Sequence, residues 1–525
     1  MFSRLTTVGK TIVGVILAAG LFVAGWFIFP YFQDSGIIKG SNNPDLIIGL
    51  NTWSGFAPVV WYNDGKNSDP VTNNYIANSD CKMSKDFGLG LQINQMDKRE
   101  NCIDALLADK VDAIYVTTDV FSPEIPTAGE LAKAGVVQWL KVDDSRGADV
   151  VVATKNIRSV NDFTKNTKVA CAFPTASSTL LLELLDAGGK TIGDITVIYV
   201  ENAMAASEQF RNGNVDVAVV WSPDDGDCLA DVEGSHVLFS TKHATSIVMD
   251  GMLAKRSTIE KKHVEFEKLA KAWLSANADM QSESNKTLAA QAFSTSFGFE
   301  LFLVEDGVAK IRFSTLGDNK AFFGLDPTYS GVTGNDLYTR MAKVYSKTPK
   351  DVGGGFYANN PVPWIKASYA GVIEKVELNG PQHGVEGQLT FTPSTKETKS
   401  MMAVATKQIT ILFETNSDKL DNMAKAVIDR QVSGTLKGWQ GARVRIEGNT
   451  DVTGDYNYNK ALSSRRAMAV KDYLVKTYGF DPNRIDVVGN GCDKPANGSS
   501  DIKSANATED LRSQNRRTDF GLIAE

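Results

Sequence analysis

From Thr11 to Gln33 the chain runs for 23 residues without a charge, TIVGVILAAGLFVAGWFIFPYFQ. As a helix rising ~1.5 Å per residue this run covers roughly 34 Å, against a bilayer hydrocarbon core of about 30 Å. Arg4 and Lys10 precede it and Asp34 follows it. The positive-inside rule therefore makes residues 1–10 a cytoplasmic tail, residues 11–33 a single transmembrane helix of the inner membrane, and the bulk of the chain periplasmic. A cleaved signal peptide is the competing reading, with Val23 and Gly25 at the cleavage positions. Against it, the apolar run continues through Trp26, Phe27, Ile28 and Phe29, an aromatic belt that a cleaved peptide does not need. Gly14 with Ala18 and Gly20 with Ala24 place small residues four apart, the spacing of a close helix pair, and so point to a homodimer.

The remainder of the chain is long enough for several cores. There are 525 residues in all, and three or four units are expected at roughly 150 residues each. Acidic residues outnumber basic ones 62 to 55, so there is no general electrostatic reason to bind nucleic acid. The five cysteines are Cys81, Cys102, Cys171, Cys228 and Cys492. In an oxidising compartment Cys81 with Cys102 and Cys171 with Cys228 are the disulfide candidates, an odd thiol remaining. The four histidines are scattered and no His or Cys pair has zinc-ligand spacing, so neither a metal nor another cofactor is expected. Gly189, Lys190 and Thr191 end in GKT, but Leu184 stands where a phosphate loop needs its first glycine. With no nucleophile elbow and no supported carboxylate pair, the expectation is a protein without enzymatic activity.

From Asp45 to about Ser368 strand-like and helix-like runs alternate: LIIGL, a helix around Arg99 to Ala108, VDAIYV, VVVAT, KVACAF, a helix from Ser177 to Leu185, ITVIYV and VDVAVVW. That rhythm predicts an α/β fold with a largely parallel sheet. The polar stretch TPSTKETKS reads as an exposed linker, placed at residues 391–406. Beyond it, residues 407–525 read as a smaller α/β domain: strand ITILF, helix Lys419 to Val432, strand ARVRIEG, helix Asn459 to Tyr478, strand RIDVVG and a last strand RRTDFGLI.

In that last unit FETNSDKL, then IEGNTDVTGDYNYNKALSSRRAMAV, then GNG and NRRTDF resemble, in order, the OmpA-like peptidoglycan-binding domain. The resemblance implies a clamp on the free end of meso-diaminopimelate, formed by Asp451 and Arg466 with Leu462 as a further contact. The chemistry of the residues agrees. That end is zwitterionic, so its site needs a carboxylate for the ammonium and a guanidinium that can fork onto the carboxylate. Leu462 and Arg466 are four apart and share a helix face. The competing reading pairs Asp451 with Arg466. Arg516 and Arg517 read as structural or rim charges.

The segments DLIIGLNTWSGFAPVVW, LLADKVDAIYVTTDVF, DDSRGADVVVAT, KVACAFPTASSTLLLELL and FRNGNVDVAVVWSPDD resemble a periplasmic solute-binding protein of the nitrate, sulfonate, taurine and thiamine-precursor type. The resemblance implies a two-lobed fold over residues 45–390, with lobes at about 45–145 plus 250–390 and at 146–249. It also implies a ligand held by Trp53, Ser54, Thr117, Thr118, Asp119, Ser177, Ser178, Thr179, Trp221 and Asp224. The hydroxyls of Ser177, Ser178 and Thr179 in PTASSTLL, at a helix start, suit an anion, or merely cap the helix. Asp119 and Asp224 leave room for an amine or zwitterion.

The expected function is an envelope protein anchored in the inner membrane, holding peptidoglycan at one end and carrying a ligand-sensing or scaffolding module between. A stator-type subunit of an ion-driven motor with a multi-pass membrane partner shares the layout, but residues 11–33 lack the carboxylate such a helix carries. An importer component is the third reading, which a wall clamp and a membrane anchor would both hinder.

Overall fold

Central strands rich in Val, Ile and Leu, buried along nearly their whole length, form the middle of two sheets. The computed structural model describes residues 44–64, 67–69, 74–76, 80–346, 348, 361–414 and 416–525. The expected membrane helix and its small-residue motif lie outside these residues. Among the described residues no helix is long and apolar enough to cross a membrane.

The first lobe takes β1 (Leu46–Leu50), β2 (Asn67–Asp69), β3 (Asn74–Ile76), β4 (Leu91–Gln95), β5 (Ala113–Thr117) and β6 (Val136–Ser145). The chain then crosses into the second lobe: β7 (Asp149–Ala153), β8 (Lys168–Ala172), β9 (Thr196–Val200), β10 (Val217–Trp221) and β11 (His236–Ser240). It returns to the first through β12 (Met249–Lys255) and β13 (Ile311–Phe313). The strand orders are β13-β6-β12-β5-β1-β4-β3-β2 and β11-β7-β10-β8-β9. The sheets are mixed, where a largely parallel sheet is expected from the sequence. Parallel pairing is confined to β4-β1-β5 and β10-β8-β9, while β6, β7 and β12, which flank the crossings between lobes, run antiparallel to their neighbours.

Helix α1 (Thr118–Glu124) follows β5 directly. Helix α2 (Ala176–Ala187) starts at Thr175, which forms a capping box with Ser178. Helix α3 (Gly334–Tyr345) starts at Thr333, whose hydroxyl caps Asp336.

The carboxy-terminal domain has the sheet order β14-β17-β15-β16, from β14 (Ala405–Ile409), β15 (Arg443–Asn449), β16 (Ile485–Gly491) and β17 (Thr518–Ile523). Helix α4 (Tyr456–Tyr478) begins at an Asp455 cap and ends at Gly479, whose φ of 70° is left-handed. It lies directly on β15 because Gly448 has no side chain: a methyl there would overlap the Ser463 backbone. The strand expected over ITILF falls four residues earlier, at ATKQI, because its partner β17 ends its pairing at Ile409 opposite Thr518. The expected linker is held against the domain. Phe391 N–H donates to Asp481 at 2.8 Å, and Arg445 donates to the Lys399 and Met401 carbonyls at 2.7 and 3.0 Å.

The domain is also fastened to the second lobe. Trp439 is fully buried and stacks on Phe239 with ring centres 4.0 Å apart. Asn161 exchanges two hydrogen bonds with the Thr406 backbone, at 2.9 and 2.7 Å, and His243 Nε2 lies 2.9 Å from the Glu525 main-chain oxygen. Arg340 of α3 forks onto the fully buried Glu183 of α2, its Nε at 2.6 Å, and reaches Thr435 at 3.2 Å.

Neither expected disulfide is formed, and all five cysteines are free. Each of the four candidates is engaged in its own surroundings. Cys81 caps a helix by accepting the Ser84 N–H, Cys102 donates to the Met96 carbonyl, Cys228 meets the Ser207 hydroxyl, and Cys171, inside β8, donates to the Ala172 carbonyl. Burial pushes the Cys102 thiol up to about 12.

Candidate binding sites

In the carboxy-terminal domain the loop after β15 presents Asp451, and the first turn of α4 holds that loop through Asn459, which donates to the Thr453 carbonyl at 3.0 Å. Two successive steps of three and four residues carry α4 from Asn459 to Leu462 and on to Arg466, all on one face. Asp451, Leu462 and Arg466 line one cavity of about 610 Å³ with Leu412, Phe413 and Tyr458. Asp451 and Arg466 do not pair with each other. Asp451 Oδ1 accepts the Thr453 N–H at 2.7 Å and Oδ2 accepts Arg516 at 2.6 Å. Arg466 donates to the carbonyls of Ser417 at 2.9 Å and Glu414 at 3.3 Å, and lies 4.8 Å over the Phe413 ring.

Burial raises the Asp451 carboxyl, but the Arg516 and Thr453 hydrogen bonds outweigh it and hold the group below the usual carboxylate range. The cavity therefore offers a fixed negative charge and, across it, a guanidinium held by carbonyls with no carboxylate bound to it among the described residues. Arg516, read from sequence as a rim or structural charge, is the direct partner of Asp451 and bridges to Glu509 at 2.6 Å. Arg517 is buried and pairs with Asp519 at 2.9 Å, a structural role.

The second site lies between the lobes. Thr117, Thr118 and Asp119 stand where β5 runs into α1, Trp53 and Ser54 follow β1, and Trp221 ends β10. Ser54 abuts Gly307 of the helix Leu301–Ala309. Asp224 opens the helix Asp224–Asp231 three residues after Trp221, where burial and the neighbouring Asp227 and Asp225 raise its carboxyl. The hydroxyls at the start of α2 are not free for an anion: Ser178 and Thr179 each lie 2.8 Å from the Tyr345 hydroxyl of α3, and Ser178 also closes the capping box. Ser177 is fully buried and its hydroxyl has no partner among the described residues.

Three carboxyls that the sequence pattern did not single out complete this region. Asp250 of β12 sits opposite Thr117 of β5 on one side and Asp143 of β6 on the other, and Asp149 of β7 sits opposite Trp221. Asp119 and Asp143 are 0% exposed, Asp149 3% and Asp250 8%. Asp119 faces the Thr179 hydroxyl, Asp143 faces the Trp53 indole and the Asp250 carboxyl, and Asp149 accepts the Ser145 hydroxyl at 2.7 Å. Burial and the neighbouring carboxyls raise the whole group, Asp143 to about 7, Asp149, mainly by burial, to about 6, and Asp119 and Asp250 well above the usual range. The available sequence signal was Asp143 in VVQWLKVDDS, Asp149 directly before the apolar run VVVA, and Asp250 within VMDGM. Among the described residues no group of His, Cys, Asp and Glu could hold a metal ion.

Residues 412–509 match the OmpA family. The peptidoglycan-associated lipoprotein of Legionella pneumophila is 33% identical over 134 residues, 26% of this chain and 71% of that protein. That of Rhizobium meliloti is 38% identical over 92 residues, 18% of this chain and 51% of its own, and outer membrane protein Omp38 of Acinetobacter baumannii is 33% identical over 104 residues, 20% and 29%. The chain thus spans about half or less of the length of these last two relatives. Over the preceding part, the periplasmic aliphatic sulphonate binding protein SsuA of Escherichia coli superposes with a TM-score of 0.46 at 18% identity, covering 67% of this chain and 97% of that one. The periplasmic nitrate-binding protein NrtA of Synechocystis gives 0.39 at 11% identity, covering 63% and 98%.

Proposed function

We propose, from this chain's membership of the OmpA family through residues 412–509, that it is a non-enzymatic envelope protein which binds peptidoglycan with its carboxy-terminal domain. The observation that carries the reading is the cavity that Asp451 and Arg466 share without neutralising one another. A zwitterion fits such a pair. Its ammonium goes to the Asp451 carboxylate, and its carboxylate takes the remaining donors of Arg466, whose plane the Ser417 and Glu414 carbonyls and the Phe413 ring already hold. The free end of meso-diaminopimelate has this chemistry, and Leu462 supplies an apolar wall for its methylene chain. Residues 11–33 anchor the chain in the inner membrane, and the two-lobed body between anchor and clamp serves as a solute-binding module for sensing or scaffolding. The test is co-sedimentation of the full chain with diaminopimelate-type sacculi, in which Arg466→Ala must release the protein from the pellet while the parent stays in it.

A further inference from the structure

We propose that the cleft between the two lobes takes an organic cation with two or more ammonium groups, a diamine or polyamine, and not an oxyanion. The inference rests on the reading of the two-lobed body as a solute-binding module and names the class of its solute. Four carboxyls, Asp119, Asp143, Asp149 and Asp250, are gathered from α1, β6, β7 and β12, each at least nine-tenths buried, and none forms an ion pair among the described residues. Lys141, the cation that acts on Asp143, is paired with Asp144 at 2.8 Å. Buried carboxyls without countercharge cost stability and persist where something else supplies the charge.

Two further observations point to the ligand. Ser122, one turn beyond Asp119 on α1, and Ser177, on the first turn of α2 beside it, are fully buried with hydroxyls that nothing among the described residues satisfies, and the Trp53 indole N–H faces the Asp143 carboxyl. Gly55 lets that indole nitrogen and the Asp143 carboxyl converge, since a methyl at this position would overlap both. Trp221, opposite Asp149 at the end of β10, is 39% exposed, and an indole face beside carboxyls at a cleft mouth is what an ammonium ion prefers. The start of α2, the place the sequence pattern suits to an anion, is filled from within by the Tyr345 hydroxyl. Three of the carboxyls belong to the first lobe and Asp149 to the second, so a ligand with two ammonium groups bridges the lobes, and one with a single charge does not.

The experiment is calorimetric titration and thermal melting of the full chain with spermidine and putrescine, against taurine and nitrate as anionic probes. Saturable binding of spermidine with a rise in melting temperature, and none with taurine or nitrate, is the expected result. Asp119→Asn and Asp250→Asn should weaken spermidine roughly tenfold or more while raising the melting temperature of the ligand-free protein at neutral pH, because each removes a carboxyl that burial raises well above its unfolded range. Trp221→Ala should weaken it with no change in ligand-free melting, which covers the case of a carboxyl variant that does not fold. Binding of taurine or nitrate in place of spermidine overturns the cation and leaves the solute-binding reading standing. Binding of neither class overturns both. Spermidine binding that all three variants leave untouched is surface attraction to an acidic protein and also overturns the inference.

Discussion

Asp451→Asn separates the proposed clamp from the loop that carries it. The carboxylate has two partners, the Thr453 N–H at 2.7 Å and Arg516 at 2.6 Å. An amide in the same place keeps the first, because its oxygen still accepts, and loses the charge that holds the second. Arg516 is 41% exposed along its side chain and retains Glu509 at 2.6 Å, so its loss costs folding no more than ~1 kcal/mol. A ligand ammonium has no such replacement. A hydrogen bond to a charged group contributes ~1.5–3 kcal/mol, so affinity for the wall peptide should fall roughly 10- to 150-fold with little change in melting. The Asp451 carboxyl is held below its ordinary value, so its stabilising charge is fully present above the unfolded pKa of about 4 and is lost only as pH falls through the lower folded value. Wall binding should therefore be level from pH 8 to about pH 5 and fail only in stronger acid. The assay is sedimentation with sacculi over a protein titration, paired with a thermal melt. A variant that pellets like the parent, or one that unfolds before it can be tested, refutes the separation.

Arg340→Ala strands the fully buried Glu183 carboxylate and should cost ~3–5 kcal/mol, read as a large drop in melting temperature. Trp439→Ala empties the stack on Phe239 and should cost a similar ~3–5 kcal/mol, with the carboxy-terminal domain melting separately from the lobes; one unchanged transition would show that the contact does not join them. Mass spectrometry after unfolding without reductant should find five alkylated cysteines, and brief labelling of the native protein should mark Cys492, the one that is not buried. Ligand-free stability should rise as pH is lowered from about 8 towards about 5: Asp143 and Asp149 titrate near 7 and 6 in the folded protein, above their unfolded values, so their contribution is present at low pH and is lost as pH climbs through those values. A flat melting profile over that interval would contradict the raised carboxyls.

Local signals carried the elements, and long-range pairing decided where they end. The helix expected from Ser177 to Leu185 is observed as Ala176–Ala187, because Thr175 with Ser178 and Gly188 mark its ends in the sequence itself. The helix expected from Lys419 to Val432 is instead Asn422–Ile428 followed by a π turn over Asp429–Ser433 and a short helix Gly434–Gly438. No local pattern announces that break, which lies where this segment leads to the Trp439 contact with the second lobe. The stretch ITILF has an apolar pattern suited to a strand, yet Leu412 is 66% exposed and lines the cavity with Phe413. Ile411, Leu412 and Phe413 line that cavity, and periodicity cannot distinguish a strand from a cavity wall.

The two sites differ in legibility for the same reason. Asp451, Leu462 and Arg466 come from one loop and the helix after it, so their spacing on one face of α4 is written in a single short stretch of the chain. Arg516 completes that site from a distant segment and is recognisable only once β17 has been laid beside β15. The cleft carboxyls are the extreme case. Asp143 and Asp250 are neighbours solely because β12 returns to the first lobe and pairs with both β5 and β6. Taken alone, each is one acid at the edge of an apolar strand, where the ordinary inference is a solvent-facing end. Only the register shows that the strand ends converge under cover, where burial and the neighbouring carboxyl raise Asp143 to about 7 and Asp250 well above the usual range. The hydroxyls in PTASSTLL went the other way: a pattern suited to an anion is already satisfied by Tyr345, a residue from a remote helix of the chain. A cluster of donors or acceptors in sequence therefore implies a ligand only after the rest of the fold has declined to fill it.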